Sequence, residues 1–209
     1  MIASRSVRRL HRDRRGVAVI EFALALPMVV GMTLMGLEVA WMALAAQKVN
    51  QLAALAADNA ARVTGTIDET GISEIMTATR LNGAGIDFMD NGRIIVSSIQ
   101  LNDAKTGQWI RWQRCGGART TAVSRYGVEG KGRTGTALDG IGTRTPKMKA
   151  GPGVAIIVAE ADYAYQPLIS QALFGPKVFH AETAFVVRQR TDLSLTNIAN
   201  LTADKRMTC

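Results

Sequence analysis

Arg14-Arg15-Gly16-Val17-Ala18-Val19-Ile20-Glu21-Phe22 is the stretch on which the reading of this chain turns. Within a few residues it passes from paired cations, through a glycine, into an apolar run that carries an acid. Upstream, Arg5, Arg8, Arg9 and Arg12 add to the same charge, so residues 1–16 hold +5 of the formal +8. Downstream, Val17 to Ala46 contains no Lys, Arg or Asp, and its only charges are Glu21 and Glu38. A basic flank followed at once by an apolar segment is a membrane-topology pattern, in which the positive side stays cytoplasmic. Located this way, the net charge does not describe a nucleic-acid surface, and no nucleic-acid partner is expected.

As α-helix, the run 17–46 would be about 45 Å long, more than a hydrocarbon core of about 30 Å requires. Taking about 20 residues per span puts Phe22 to Trp41 across the bilayer and Gly16 at the cytoplasmic surface. Beyond Trp41 the character changes. Gln47, Lys48, Asn50 and Gln51 enter while Val49, Leu52, Ala53, Leu55 and Ala56 continue a helical stripe. One helix from about Val17 to Arg62 follows, lipid-facing in its first half and amphipathic in its second. The expected organisation is a basic leader at 1–16, a transmembrane helix at 17–46 and a periplasmic domain at 47–209.

In that domain a short helix is expected over Asp68 to Leu81, ended by Asn82-Gly83-Ala84-Gly85. Strands are expected at Arg93 to Leu101, after an Asn91-Gly92 turn, and at Gln108 to Arg114. Residues 127–153 are rich in Gly, Thr, Lys and Arg, and read as a long basic surface loop with room for a short hairpin. Two stronger strands follow, Val154 to Tyr165 and Val178 to Arg190. Alternation puts Ala155, Ile157, Ala159, Ala161, Tyr163 and Tyr165 on one side of the first, and Phe179, Ala181, Phe185 and Val187 on one side of the second. Those sides should meet the helix. The fold class is α+β, one long N-terminal helix on a small antiparallel sheet.

The only cysteines are Cys115 and Cys209. In an oxidising periplasm they could pair and tie the chain's end to mid-domain, or remain free thiols.

Glu21 is the residue an ordinary anchor does not explain. A carboxylate costs about 2.5 to 3.5 kcal/mol at the bilayer centre, less near the interface, and needs a partner. Cleavage between Gly16 and Val17 would create one, because the new α-amine at Val17 lies one helical turn from Glu21. Here the sequence resembles a type IV prepilin of the tight-adherence branch. In that group a basic leader ends in Gly, a prepilin peptidase cuts after it, and the fifth mature residue is Glu, commonly followed by an aromatic. Gly16, Val17, Glu21 and Phe22 match that spacing without a gap. Within the branch, the arginine-rich leader, Glu21-Phe22-Ala23-Leu24-Ala25-Leu26-Pro27 and the 47–62 segment resemble the TadE family of minor pseudopilins. The resemblance implies processing by a prepilin peptidase, neutralisation of the mature amine by Glu21, and assembly with other pilins and an inner-membrane pilus platform in adhesion or secretion. Its pilin-like fold carries no cofactor.

Other readings stand beside this one. A plain signal anchor or an unprocessed single-pass periplasmic scaffold shares the basic flank and apolar run. A cleaved secretory signal or a twin-arginine signal fits less well, because the run exceeds the usual apolar core of about 7 to 15 residues. Met28, Met32, Met35 and Met42 fall at helical spacing and read as lipid or helix contacts. His11 lies in the leader. His180, with Glu182 on its strand and Glu160 and Asp162 opposite, could make a metal site, but Arg188 and Arg190 offer a simpler account as cross-strand charge partners, so no metal is expected. Gly127 to Gly132 lacks the spacing and the hydroxyl residue of a phosphate-binding loop. No nucleophile, base and acid stand in supporting context, and no catalysis is assigned.

Overall fold

The computed structural model describes residues 15–209, so the leader arginines through Arg14, with His11 and Asp13, lie outside the described residues. Helix α1 spans Arg15–Arg62 and continues through Pro27. Proline lacks the N–H that would bond to the Ala23 carbonyl, but the rest of the ladder carries the helix on. A two-residue strand, β1 (Ile67–Asp68), leads into α2 (Glu69–Gly83), where the Asp68 carboxylate caps the helix by accepting from the Gly71 N–H at 2.9 Å. A 3₁₀ turn at Ala84–Ile86 and one helical turn, α3 (Phe88–Asn91), follow.

The sheet is built from β2 (Gly92–Leu101), β3 (Gln108–Gly116), β4 (Ala155–Ala164) and β5 (Val178–Val186), with a short turn α4 (Gln171–Phe174) before β5. It is antiparallel throughout, in the order β3-β2-β4-β5. A last two-residue strand, β6 (Leu195–Thr196), pairs parallel with β1. The protein is therefore α+β, with a long apolar helix and a four-stranded antiparallel sheet.

The second half of α1 lies across one face of this sheet. Ala45, Val49, Leu52, Ala53, Ala56, Ala57, Ala60 and Ala61 are buried together with Ile157, Ala159, Ala161, Tyr163, Tyr165, Ala181 and Val187. The expected inward faces of both strands meet the helix, and the small alanine side chains let the helix backbone come close to the sheet. The first half is different: its apolar side chains, from Val17 to Leu37, are largely exposed.

Three expectations need correction. Asn91-Gly92 is not a hairpin turn but the junction of α3 with β2. Gly92 is needed for close approach, since a Cβ there would sit 2.7 Å from the Phe88 carbonyl oxygen and 2.8 Å from that of Asp162. The 127–153 segment is more than a surface loop. Ile141 and Ala150 are buried with Ile99, Ile110, Ile156 and Val158 on the face opposite α1, and Ile141 exchanges backbone hydrogen bonds with Met148 in a hairpin. Finally, β5 stops at Val186, so Arg188 and Arg190 lie past its end. Among the described residues neither makes an ion pair with Glu160, Asp162 or Glu182. Arg190 is buried, and burial lowers the pKa of its guanidinium.

Candidate functional site

The residues singled out at the start of the apolar run all lie on the first turns of α1. Gly16 and Val17 are helical and exposed, and Phe22 is 66% exposed. Glu21 follows Val17 at i,i+4, the spacing that places two side chains one above the other on a helix. Glu21 is exposed and makes no hydrogen bond or ion pair among the described residues. Around it α1 presents only apolar groups, and further along the one polar Thr33 turns its hydroxyl inward to the Val29 carbonyl at 2.8 Å. Among the described residues nothing covers the most apolar window of the helix, and the helix is long and apolar enough to cross a membrane once.

Residues 16–62 match the model of a family described as TadE-like protein. The helix is TadE-like. No curated protein and no solved structure matches the chain. The match runs from Gly16 to the end of α1, so it takes in both the exposed half and the half that docks on the sheet.

At the middle of the TadE-like helix lies a second acid that sequence reasoning passed over. Glu38 is fully buried. Its Oε1 accepts from the Tyr165 hydroxyl at 2.6 Å, and its Oε2 accepts from the backbone N–H groups of Leu168 at 3.0 Å and Ile169 at 3.1 Å. The strand end after β4 thus closes over the helix at the point where its exposed half begins. Tyr165 also packs on Phe179, with ring centroids 5.4 Å apart. Burial, with the Glu38 carboxylate beside it, raises the Tyr165 pKa above the ordinary phenol value. The visible signal was a lone acid in an apolar run; its partners were hidden because two of them are backbone amides.

Cys115, at the end of β3, and Cys209 stand with Cα atoms 5.0 Å apart and sulfurs at 2.14 Å. The same tail is held by a hydrogen bond from the Cys115 N–H to the Met207 carbonyl at 2.7 Å. Next to it, Arg114 forms a buried bidentate pair with Glu69 at the start of α2 and reaches Glu129 of the covering loop at 2.8 Å. Burial alone would lower the Arg114 pKa, but the two carboxylates outweigh it and raise it. This cluster fastens α2, β3, the loop and the tail together, far in sequence from Glu21.

On the sheet face away from α1, Glu160 is buried and accepts from the Ser124 hydroxyl and from the Arg125 N–H at 2.9 Å. Glu182 accepts from the Tyr126 hydroxyl at 2.6 Å. His180 Nδ1 lies 3.1 Å from Asp162 Oδ1. These groups are brought together by the β4–β5 register, which sets Glu160 opposite Glu182 and Asp162 opposite His180.

Proposed function

We propose that the protein is a minor pilin, or pseudopilin, of a tight-adherence pilus, matured by a prepilin peptidase that cuts between Gly16 and Val17. One observation supports this reading above the rest. The matched helix is half covered by its own domain and half bare, and the bare half begins with Val17, Glu21 and Phe22 at the spacing a processed pilin requires. In a lipid bilayer this half is an anchor, and in an assembly it is a surface for other pilin helices. Glu21 would balance the amine exposed at Val17, within the subunit or in its neighbour, and the role is structural rather than catalytic.

The covering of Glu38 supports a bilayer border at that residue. Val17 to Leu37, at about 1.5 Å per residue, measures about 31 Å, close to a hydrocarbon core of about 30 Å. We place the span there, with Glu38 at the periplasmic border and the domain beginning with it. The leader, 1–16, would remain cytoplasmic by its arginines. In the periplasm, Cys115 and Cys209 would form a disulfide. The two cysteines are separated by 94 positions, and closing that loop would stabilise the domain by about 4 to 5 kcal/mol in the chain-entropy model.

Mass spectrometry of the protein from membranes of peptidase-positive cells tests the reading. A mature N-terminus at Val17 is expected, and an intact leader in such cells would make the chain an unprocessed scaffold instead. Glu21→Ala should leave membrane insertion unchanged and reduce piliation; full piliation in that variant would remove Glu21 from the assembly step. Non-reducing peptide mapping should recover the Cys115 and Cys209 peptides joined.

A further inference from the structure

The face of β4 and β5 turned away from α1 carries a group of side chains that membrane anchoring and helix assembly do not use. Glu160 and Glu182 are register partners on adjacent antiparallel strands. Two like charges directly opposite one another destabilise a sheet unless something balances them. Among the described residues no Lys or Arg makes an ion pair with either acid; their hydrogen-bond partners are hydroxyls and one backbone N–H. Arg125 and Arg144 line the neighbouring cavity without closing on them.

His180 completes the group. Glu160, His180 and Glu182 each offer one donor atom, and those atoms all lie within 4.8 Å of one another. The Nδ1 of His180 is held by Asp162 at 3.1 Å, while its Nε2 is buried with no hydrogen-bond partner among the described residues. A carboxylate on the Nδ1 proton leaves the lone pair on Nε2, which is how a metal-binding imidazole is ordinarily oriented by an outer carboxylate. We infer that Glu160, Glu182 and His180 Nε2 form a three-ligand site for a divalent cation of the zinc class, with Asp162 positioning the imidazole.

The chemistry of the donors selects the class. An imidazole suits zinc and its transition-metal neighbours, whereas calcium and magnesium take oxygen ligands. Bonds of about 2.0 to 2.1 Å bring tetrahedral donors to about 3.4 Å from one another, so the side chains must draw in by roughly an ångström. His180 and Glu182 are only partly buried. Three protein ligands leave one position open toward a cavity of about 410 Å³ lined by Gly142, Thr143 and Pro146. The ion would balance the facing carboxylates and, through Ser124 and Tyr126, tie the covering loop to the sheet.

The full-length chain, purified in detergent and stripped with a chelator, should bind one Zn²⁺ by equilibrium dialysis, with a rise in its unfolding midpoint, while Ca²⁺ and Mg²⁺ have little effect. Glu182→Gln and His180→Gln should each weaken Zn²⁺ binding at least tenfold, and Asp162→Asn by about 10 to 100-fold. Glu182→Gln keeps an acceptor for Tyr126, so its fold is preserved and the loss reads the ligand alone. X-ray absorption of the bound zinc should show a single imidazole among oxygen ligands. The inference is overturned if wild type binds no Zn²⁺ saturably, if binding survives both ligand variants, if it vanishes in His11→Gln instead, or if Ca²⁺ is preferred.

Discussion

Glu21 and Glu38 are the only charges in the apolar run, and they occupy opposite situations on one helix. Glu21 is exposed on a half of α1 that none of the described residues covers, while Glu38 is fully buried under Tyr165, Leu168 and Ile169. Hydropathy treats the two alike. The difference is what surrounds them: the domain supplies three donors to Glu38 and none to Glu21. An acid satisfied within its own chain is a fastening, and an acid left bare on an apolar helix is available to something outside it. The contrast divides α1 into a part that belongs to the domain and a part that we propose serves the bilayer and assembly.

Glu38→Ala is the most direct way to break this comparison. It strands the Tyr165 hydroxyl and the Leu168 and Ile169 N–H groups, each of which costs about 1 to 3 kcal/mol if left unpaired in a buried place. Water can reach part of this junction, since Leu168 is 53% exposed. We therefore expect a loss of about 2 to 4 kcal/mol in domain stability, measured by denaturant unfolding in detergent. Glu21→Ala in the same assay should change stability by no more than about 0.5 kcal/mol. Equal effects of the two substitutions would erase the division.

The two halves can also be separated without touching charge. Ala56 is fully buried in the core that α1 shares with α2 and the sheet, and Ala23 is exposed near the start of the run. Leucine has nearly the helix propensity of alanine, so Ala→Leu isolates packing. Ala56→Leu should cost about 1 to 3 kcal/mol by overpacking of this core. Ala23→Leu should be neutral within about 0.5 kcal/mol. A neutral Ala56→Leu would mean that the helix docks loosely, and the alanine stripe would lose its meaning as a close-contact surface.

The sequence carried the elements whose periodicity is strong. The helix, the strands β4 and β5 and the faces that meet it were legible because Ile157, Ala159, Ala161, Phe179 and Ala181 stand at alternate positions, with Glu160, Asp162, His180 and Glu182 on the other face of the two strands. The covering loop was not, because Ile141 and Ala150 are isolated apolar residues in a segment of Gly, Thr, Lys and Arg; only the empty outer face of the sheet calls for them. The end of β5 was also missed, since Val187 keeps the alternation and still donates to the Ala155 carbonyl, and only then does the chain turn off. Of the site residues, those proposed for processing and assembly, Gly16, Val17, Glu21 and Phe22, were readable as a local spacing. Glu38 was not, for its partners come from a turn more than a hundred residues away and two of them are main-chain groups that any residue could supply.

Tyr165→Phe sharpens the comparison most finely, because it removes one of the three donors and leaves the ring on Phe179. A hydrogen bond to a charged group contributes about 1.5 to 3 kcal/mol, and two backbone donors remain on Glu38, so a loss of about 1 to 2 kcal/mol is expected. The pH dependence identifies the bond itself. The Tyr165 phenol has its pKa raised in the folded state, first by burial and then by the Glu38 carboxylate. A raised folded value means that the unfolded chain gives up this proton first, so the contribution is complete below the ordinary phenol pKa of about 10 and is lost as pH rises above it. Wild type should therefore lose stability more steeply than Tyr165→Phe above about pH 10, and the two curves should converge there. If the offset between them stays constant into the alkaline range, the hydroxyl does not reach Glu38, and the helix is fastened by the backbone donors of Leu168 and Ile169 alone.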